Sequence, residues 1–290
     1  MKSDRAFLLS HQAHDVAAII RRWQALGKRL RADCTVIHEQ KGGLPVLALS
    51  HPGLEKPTPS LRKDSAFYIS SGVHGDEAAG VWGMLLWAEA RIEWLRHRPW
   101  IIFPCFNPWG LLNNRRSDEH DRDLNRMFHE KADPHFGGWS QIIAGWHFRL
   151  AMMMHEDYDA LGVYAYEALH PHVKSVGRSI LESCAPWIPA DPRHVIEGRP
   201  AKRGLIIRHR LPKEGLPGFP EALVLFRECA SQVVTFETPS EYSFFDRVKA
   251  QFAALDAGAL HFDRMASSTT SKPSSETVSG KTSSDITYEI

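Results

Sequence analysis

Two side chains able to hold a metal ion, His74 and Glu77, stand three positions apart in the segment SSGVHGDEAAGVWGMLLW, residues 70–87. A strand-like segment, AFYIS, precedes them, and a long apolar run of helical character follows. In open α/β sheets, ligands bind just outside the carboxyl ends of strands, where a strand gives way to a helix. An imidazole and a carboxylate both suit zinc, and a catalytic zinc takes three protein donors plus one water. A His-x-x-Glu pair also arises on ordinary surface helix turns, so it is informative only if the remaining parts of such a site are present.

Three other stretches could supply them. NPWGLLNNRRSDEHDRDLNRMF, residues 107–128, follows another strand-like segment and gathers Arg115, Arg116, Arg122 and Arg126 with Asn113, Asn114 and Asn125. A solvated basic loop is the simple reading. An anion site is the functional one, because the arginine fork matches carboxylate geometry. In MMMHEDYDALGVYAYE, His155 follows an apolar run, a position open to a core or surface histidine as well as to a ligand. In VVTFETPS, Glu237 ends an apolar strand-like segment. A carboxylate there is costly unless it is paired or reaches a polar cleft.

The elements that must position these groups alternate along the chain. Residues 13–31 carry apolar side chains at helical spacing and predict an amphipathic helix. CTVIHEQKGGLPVLALSHPG predicts two strands joined at Gly42-Gly43, and SAFYISSG a third. EAAGVWGMLLWAEARIEWLRHR predicts one helix of several turns, and WIIFPCFNP a buried strand closed by proline. GWSQIIAGWHFRLAMMMHED reads as a helix followed by a short apolar segment, ASQVVTFETPS as a strand, and EYSFFDRVKAQFAALDAGAL as a final helix. This alternation predicts an α/β fold: a mixed, largely parallel twisted sheet with helices on both faces. The stretch from about Pro186 to Pro220, rich in proline, glycine and arginine, reads as irregular surface structure or a short insertion.

Composition is that of a globular protein. The 290 residues suffice to bury a sizeable core, and a net charge of +1 gives no global pull toward nucleic acid or an anionic membrane. Sixteen histidines make the metal question worth asking. The four cysteines, Cys34, Cys105, Cys184 and Cys229, are far apart and form no CxxC pair, so reduced thiols are expected. The N-terminal stretch MKSDRAFLLSHQAHD has no long apolar core of a secretory leader, and no window reaches a membrane-spanning length, so a cytoplasmic protein is expected. Residues 1–265 are expected to form a single catalytic domain. The Ser/Thr-rich stretch 266–290 has too little apolar surface to offset its ordering entropy and is expected to be disordered.

Taken together, HGDE, then NPWG with a following arginine and DLNR, then a histidine, then ETPS resemble the M14 zinc carboxypeptidase family in content and order. The resemblance covers about residues 66–250 and is greatest to the compact branch that includes aspartoacylase and succinylglutamate desuccinylase. It implies a zinc carboxypeptidase-like α/β/α sandwich and one Zn2+ per chain, held by His74, Glu77 and His155. It implies Glu237 as general base and then proton donor, and Arg116 as the group facing the oxyanion. Asn125 and Arg126 would hold the substrate's terminal carboxylate, and Asp123 would orient His74. Arg115 rivals Arg116 if the alignment slips by one. Asp76 reads as a loop or helix-start neighbour, and His170 and His172 as loop histidines lacking a third donor. Of Glu156 and Asp157, Asp157 is the better candidate to brace a ligand.

The chemistry that follows is amide hydrolysis. Zinc lowers the pKa of a bound water. Glu237 would take its proton and pass it to the leaving amine. Arg116 would face the charge growing on the carbonyl oxygen. Two features depart from the large digestive carboxypeptidases. Glu77 and His155 are only 78 positions apart, which fits a compact core, and no tyrosine lies between Tyr166 and Glu237. Tyr164, Tyr166 and Tyr242 are the candidates for a substrate contact.

Three functions remain open on this reading. One is a metallocarboxypeptidase acting on a peptide C-terminus, and another is a deacylase of N-acyl amino acids using the same groups. The third is a non-catalytic carboxylate-binding protein, which would be expected to lack a ligand or the base. His/Glu donors also accept cobalt or manganese.

Overall fold

The protein is described by a computed structural model over residues 12–53, 66–210 and 218–269. Helix α1 (Val16–Leu30) is capped by Asp15, whose side chain accepts from the Ala18 amide at 2.9 Å. It buries Val16, Ile19, Trp23, Leu26 and Leu30 on one side. Strands β1 (Asp33–Gln40) and β2 (Leu44–Ser50) form an antiparallel pair. Their turn uses Gly42 and Gly43 at φ 85° and 72°, a region glycine enters without steric cost. Strand β3 (Ala66–Ser71) leads into α2 (Ala78–Ala90). Then come α3 (Ile92–His97), β4 (Trp100–Phe103), α4 (Pro108–Asn113), a 3-10 turn (Leu124–Arg126) and α5 (Pro134–Ile143).

The second half supplies β5 (Phe148–Asp157), β6 (Tyr164–Leu169), α6 (Gly177–Cys184) and a small hairpin of β7 (Val195–Ile196) and β8 (Arg199–Pro200). It closes with β9 (Leu205–Arg208), α7 (Glu221–Glu228), β10 (Gln232–Pro239) and α8 (Phe244–Thr269).

One eight-stranded sheet in the order β1-β2-β4-β3-β5-β10-β6-β9 organises the molecule. The pairs β3–β4, β3–β5, β5–β10 and β6–β9 are parallel, whereas β1–β2, β2–β4 and β6–β10 are antiparallel. The central strands bury both faces by alternation. Phe67, Ile69, Met152, Met154, Val234 and Phe236 enter a core shared with α1, α2, α6 and α8. Tyr68, Ala151, Met153 and Val233 point to the opposite face, where α5 and α7 pack. This is the mixed α/β/α arrangement expected from the sequence.

Several elements differ from expectation. The single helix predicted after Glu77 is two, because Arg91 leaves helical geometry at φ −110° and ψ 30°. There its guanidinium makes a bidentate pair with Asp256 of α8, at 2.6 and 2.9 Å. The short apolar segment ending at His155 is the ten-residue central strand β5. Strand β6 was not anticipated. The stretch after Pro186, expected to be irregular, contains the β7–β8 hairpin and contributes β9 to the main sheet. Residues 211–217 of that stretch, and 270–290 of the Ser/Thr-rich segment, lie outside the described residues, while α8 continues past Ala266 to Thr269. Cys34 is exposed, the other three cysteines are buried, and all four are free. Among the described residues no helix is long and apolar enough to cross a membrane.

The face carrying α5 includes a buried histidine. His135 is fully buried, its ring stacks on His38 at 5.1 Å and on Phe136 at 4.9 Å, and neither ring nitrogen has a hydrogen-bond partner among the described residues. Burial, and then the neighbouring His38, lower its pKa from 6.5 to about 3. It is therefore neutral when folded and protonated when unfolded across that interval. Stability should fall as pH drops through it, by up to about 1.4 kcal/mol per pH unit from this group. Urea unfolding of wild type and His135→Phe across the interval checks this: the variant should show the shallower loss.

Candidate metal centre

The loop between β3 and α2 is held by backbone contacts that its sequence permits. Gly75 lies against the start of the basic loop, where a Cβ would fall 2.0 Å from the Gly110 carbonyl carbon and 2.3 Å from the Leu111 nitrogen. Only glycine allows that approach. Asn107 is the brace on the other side. Its side-chain oxygen accepts from the Gly110 amide at 2.9 Å, capping α4. Its backbone N–H donates to the Gly72 carbonyl at 2.7 Å, and its amide nitrogen donates to the Arg116 carbonyl at 3.3 Å. The HGDE and NPWG segments, separate in sequence, are thus one structural unit.

His74, Glu77 and His155 converge at its edge. All three are buried, and one donor atom from each lies within 4.8 Å of the others. His74 Nδ1 is 2.5 Å from Glu77 Oε1, and His155 Nδ1 is 2.8 Å from Glu77 Oε2. The Glu156 amide also donates to Glu77 Oε2, at 3.2 Å. On its far side His74 Nε2 meets Asp123 Oδ1 at 3.2 Å, which turns Nδ1 inward. Two imidazole nitrogens and a carboxylate, with one imidazole braced by a second carboxylate, are a donor set that fits a metal ion.

The charges fit as well. Burial alone would raise the Glu77 pKa, but the two imidazoles hold it well below the usual carboxylate range. Burial alone would lower His74, but Glu77 and Asp123 push it up to about 9. The pocket between them is prepared for positive charge.

Sheet register brings the next groups alongside. Glu237 of β10 is paired with His155 of β5 on one side and with Tyr164 of β6 on the other. Paired residues point to the same face, so the three form a row across the sheet. Glu237 Oε2 is buried without a hydrogen-bond partner among the described residues. Burial, then Glu77, Asp157 and Glu197, raise its pKa well above the carboxylate range, with Arg116 opposing. Such a carboxyl group is suited to accept and return a proton.

The basic loop forms the facing wall. Arg116 Nη2 donates to Asp123 Oδ2 at 3.1 Å, and its Nη1 is 3.7 Å from Glu77 Oε1. Asp123 Oδ1 also accepts from the Asn125 amide at 2.9 Å, so one carboxylate sets both His74 and the 3-10 turn. Asn125 Oδ1 accepts from the Glu221 backbone N–H at 3.0 Å, at the start of α7. A backbone N–H can only donate, so the Asn125 oxygen is committed and its amide nitrogen is the donor left for a ligand. Arg126 stands beside it. His74, Glu77, His155, Arg116, Asn125, Arg126 and Glu237 all line one cavity of about 740 Å³. Arg115 does not: it is turned outward onto Asp121 at 3.0 Å and over the Trp109 ring.

Other sequence expectations resolve as follows. Tyr164 and Tyr166 line the cavity, whereas Tyr242 packs on the core. His170 stacks on Phe226 and stands apart from the metal cluster. Asp157, favoured as a brace, accepts from Tyr164 Oη at 3.0 Å and contacts no ligand side chain. The buried Glu156 carboxylate likewise touches no ligand side chain: it accepts from the Ala79 amide at 2.6 Å and pairs with Arg247, anchoring the first turn of α2, while the Glu156 backbone N–H donates to Glu77. Glu221 and Arg208, also on the cavity, had no local sequence signal, because α7 and β9 reach it only through the sheet.

Comparison with known proteins agrees with this geometry. Residues 63–138 match the family model described as the succinylglutamate desuccinylase/aspartoacylase catalytic domain. No curated protein matches the chain. Among solved structures, a candidate metallopeptidase of Shewanella denitrificans shares the fold at TM-score 0.71 and 21% identity, over 86% of this chain and 91% of that one. A second, from Shewanella amazonensis, aligns at TM-score 0.71 and 19% identity, over 84% and 92%. A metallo-carboxypeptidase of Burkholderia cenocepacia aligns at TM-score 0.56 and 15% identity, over 84% of this chain and 68% of that one. The chain has a carboxypeptidase-like α/β fold with a His-Glu-His cluster at its strand ends. The matched segment is similar to the succinylglutamate desuccinylase/aspartoacylase catalytic domain, and the solved structures share the fold.

Metal loading tests the cluster. After incubation with zinc and removal of excess, wild type should retain about one ion per chain by elemental mass spectrometry, and His74→Ala almost none. Gly75→Ala should lose metal too, because its methyl group displaces the loop. Asp123→Ala should weaken affinity about 10- to 100-fold. Full retention by His74→Ala with an unchanged circular dichroism spectrum would exclude this cluster as the site.

Proposed function

We propose that this protein is a zinc-dependent hydrolase that cleaves an amide or peptide bond next to a free carboxylate, as a metallocarboxypeptidase does. The observation that carries the proposal is the convergence on one cavity of a buried His-Glu-His cluster, a buried Glu237 in the same sheet row as His155, and a wall of Arg116, Asn125 and Arg126. His74, Glu77 and His155 would hold one zinc ion. The ion supplies Lewis acidity toward the carbonyl and toward a water.

The chain's own groups do the rest. Asn125 Nδ2 and Arg126 bind the substrate carboxylate and so place the adjacent amide at the cluster. Glu237 takes a proton from the attacking water at its unpartnered Oε2 and returns it to the leaving nitrogen. Arg116, held by Asp123, faces the oxygen on which negative charge develops. Burial, and then Glu77 and Asp157, keep the Glu237 carboxylate basic enough to accept that proton. The match to the desuccinylase/aspartoacylase catalytic domain favours a second reading, deacylation of N-acyl amino acids by the same groups.

A panel of C-terminal peptides and N-acyl amino acids separates the two readings, since turnover of only the second set rules out the carboxypeptidase. Glu237→Gln should retain zinc while kcat falls by about 10²–10⁴-fold. Arg116→Met should raise the barrier by about 3 kcal/mol, seen in kcat more than in KM. A zinc-loaded wild type that binds carboxylates tightly but turns over neither set would leave a binding protein.

A further inference from the structure

The turn that carries Asn125 and Arg126 is clamped to the start of α7. The Phe219 N–H donates to the Arg126 carbonyl at 2.9 Å, and the Phe128 N–H donates to the Phe219 carbonyl at 3.3 Å. Gly218, at φ 75°, passes so close that a Cβ would fall 2.4 Å from the Arg126 oxygen. The helix starts without a cap of its own, since Pro220 at its N-cap has no side-chain acceptor. The first amide of a helix has no partner within the helix and takes one from outside. Here that partner is Asn125 Oδ1, 3.0 Å from the Glu221 nitrogen. The bond decides which way the Asn125 amide is turned, and it leaves Nδ2 as the end available to a ligand.

The helix start is fixed in turn by the Glu221 side chain. Glu221 is buried and reaches the sheet face on which Tyr68 packs against the Phe103 and Phe148 rings. The Tyr68 hydroxyl donates to Glu221 Oε1. Trp139 Nε1 lies 2.9 Å from the same hydroxyl. An indole N–H can only donate, so Tyr68 Oη accepts from Trp139 and sends its own hydrogen to Glu221. Trp139 of α5, Tyr68 of β3 and Glu221 of α7 thus form one chain of hydrogen bonds that ends at Asn125. A carboxyl group among aromatic rings is costly to bury, and an apolar side chain of similar volume would serve packing alone as well or better. Burial pushes the Glu221 pKa up to about 7, with the Tyr68 hydrogen bond opposing. Glutamine, neutral and able to accept at the same atom, is therefore a close substitute, whereas leucine keeps the bulk and loses the acceptor.

We infer that Glu221 is a positioning residue for substrate binding: its carboxylate, held by Tyr68, fixes the first turn of α7 so that the Glu221 amide orients the Asn125 side chain toward the substrate carboxylate. The inference rests on the hydrolase reading for the identity of the ligand, while the orientation of Asn125 is a property of the chain itself. Glu221 acts through Asn125, which grips a group that does not react. That grip is the same in the ground state and in the transition state, so loosening it raises KM and leaves kcat nearly unchanged. The metal cluster stands on other elements, β5 and the loop before α2, and does not depend on this chain of bonds.

The test uses the zinc-loaded full chain and three variants, Glu221→Leu, Glu221→Gln and Tyr68→Phe, the last breaking the same bond from its other end. For the fastest substrate of the peptide and N-acyl amino acid panel, Glu221→Leu and Tyr68→Phe should each raise KM by about 10-fold with kcat within about 3-fold of wild type. Glu221→Gln should stay close to wild type, and all three should retain zinc by elemental mass spectrometry. Hydrogen exchange read by mass spectrometry decides independently of turnover. Amides of residues 125–128 and 219–221 should exchange about 10-fold faster in Glu221→Leu and Tyr68→Phe, with β5 and β10 unchanged and Glu221→Gln near wild type. Unchanged exchange at those amides in both disrupting variants overturns the assignment. So does a loss of zinc and of protection across the whole sheet, which marks a residue that only supports the fold, and so does a Glu221→Gln variant as impaired as Glu221→Leu. If no substrate of the panel is turned over, the hydrolase reading fails and the exchange measurement alone decides on Glu221.

Discussion

Burying Glu77 is possible only because each of its oxygens meets an imidazole nitrogen, and the rest of the site is arranged around that requirement. A lone carboxylate at 4% exposure would be neutralised by desolvation. Here the two imidazoles keep it charged, and the Glu156 amide completes its bonding. The imidazoles need positioning in turn. Asp123 sets one, and strand β5, buried on both faces, sets the other. Asp123 also orders Arg116 and caps the turn that carries Asn125, so metal cluster and anion wall share a residue.

The same buried charge conditions Glu237. Two carboxylates close together in a dry cavity resist being ionised at once, and the second is driven upward. Glu77, matched by histidines, takes the ionised role. Glu237 has an oxygen with no hydrogen-bond partner among the described residues, which suits it to the proposed proton transfer. Residue type alone does not separate these roles, since both are glutamates next to apolar segments. Environment divides them: one ends a loop enclosed by histidines, and the other ends a strand facing a cavity.

Sheet parity explains why so many functional groups come from strands that otherwise build the core. Along β5 and β10, alternate residues enter the core under α2 and α8, and the others form the cavity floor. Moving either strand by one residue would exchange Met153, His155, Thr235 and Glu237 with their apolar neighbours. Helix α7 closes the arrangement from the other side. Its first amide fixes the Asn125 oxygen, and its first residues line the cavity.

Local patterns in the chain were enough to mark the residues that the fold brings together in the His-Glu-His cluster and the wall facing it. Motifs such as HGDE and NPWG with DLNR are contiguous because loop geometry is contiguous: Gly75 must sit beside its histidine, and Asn107 must cap the helix that follows it. The alternating elements likewise announced a mixed sheet with helices on both faces. The choice of Arg116 over Arg115 required the fold, because the loop's path turns one guanidinium inward and its neighbour outward. Strand alternation sends Glu156 toward α2, where it holds the Ala79 amide, and Asp157 toward Tyr164. Strands β6 and β9 escaped notice because short segments such as YAYEAL and LIIR carry no signal of which distant strand they will join. Pairing between residues far apart in sequence is decided by burial of the whole sheet. Tyr164, Tyr166, Glu221 and Arg208 became neighbours of the site only through that tertiary packing.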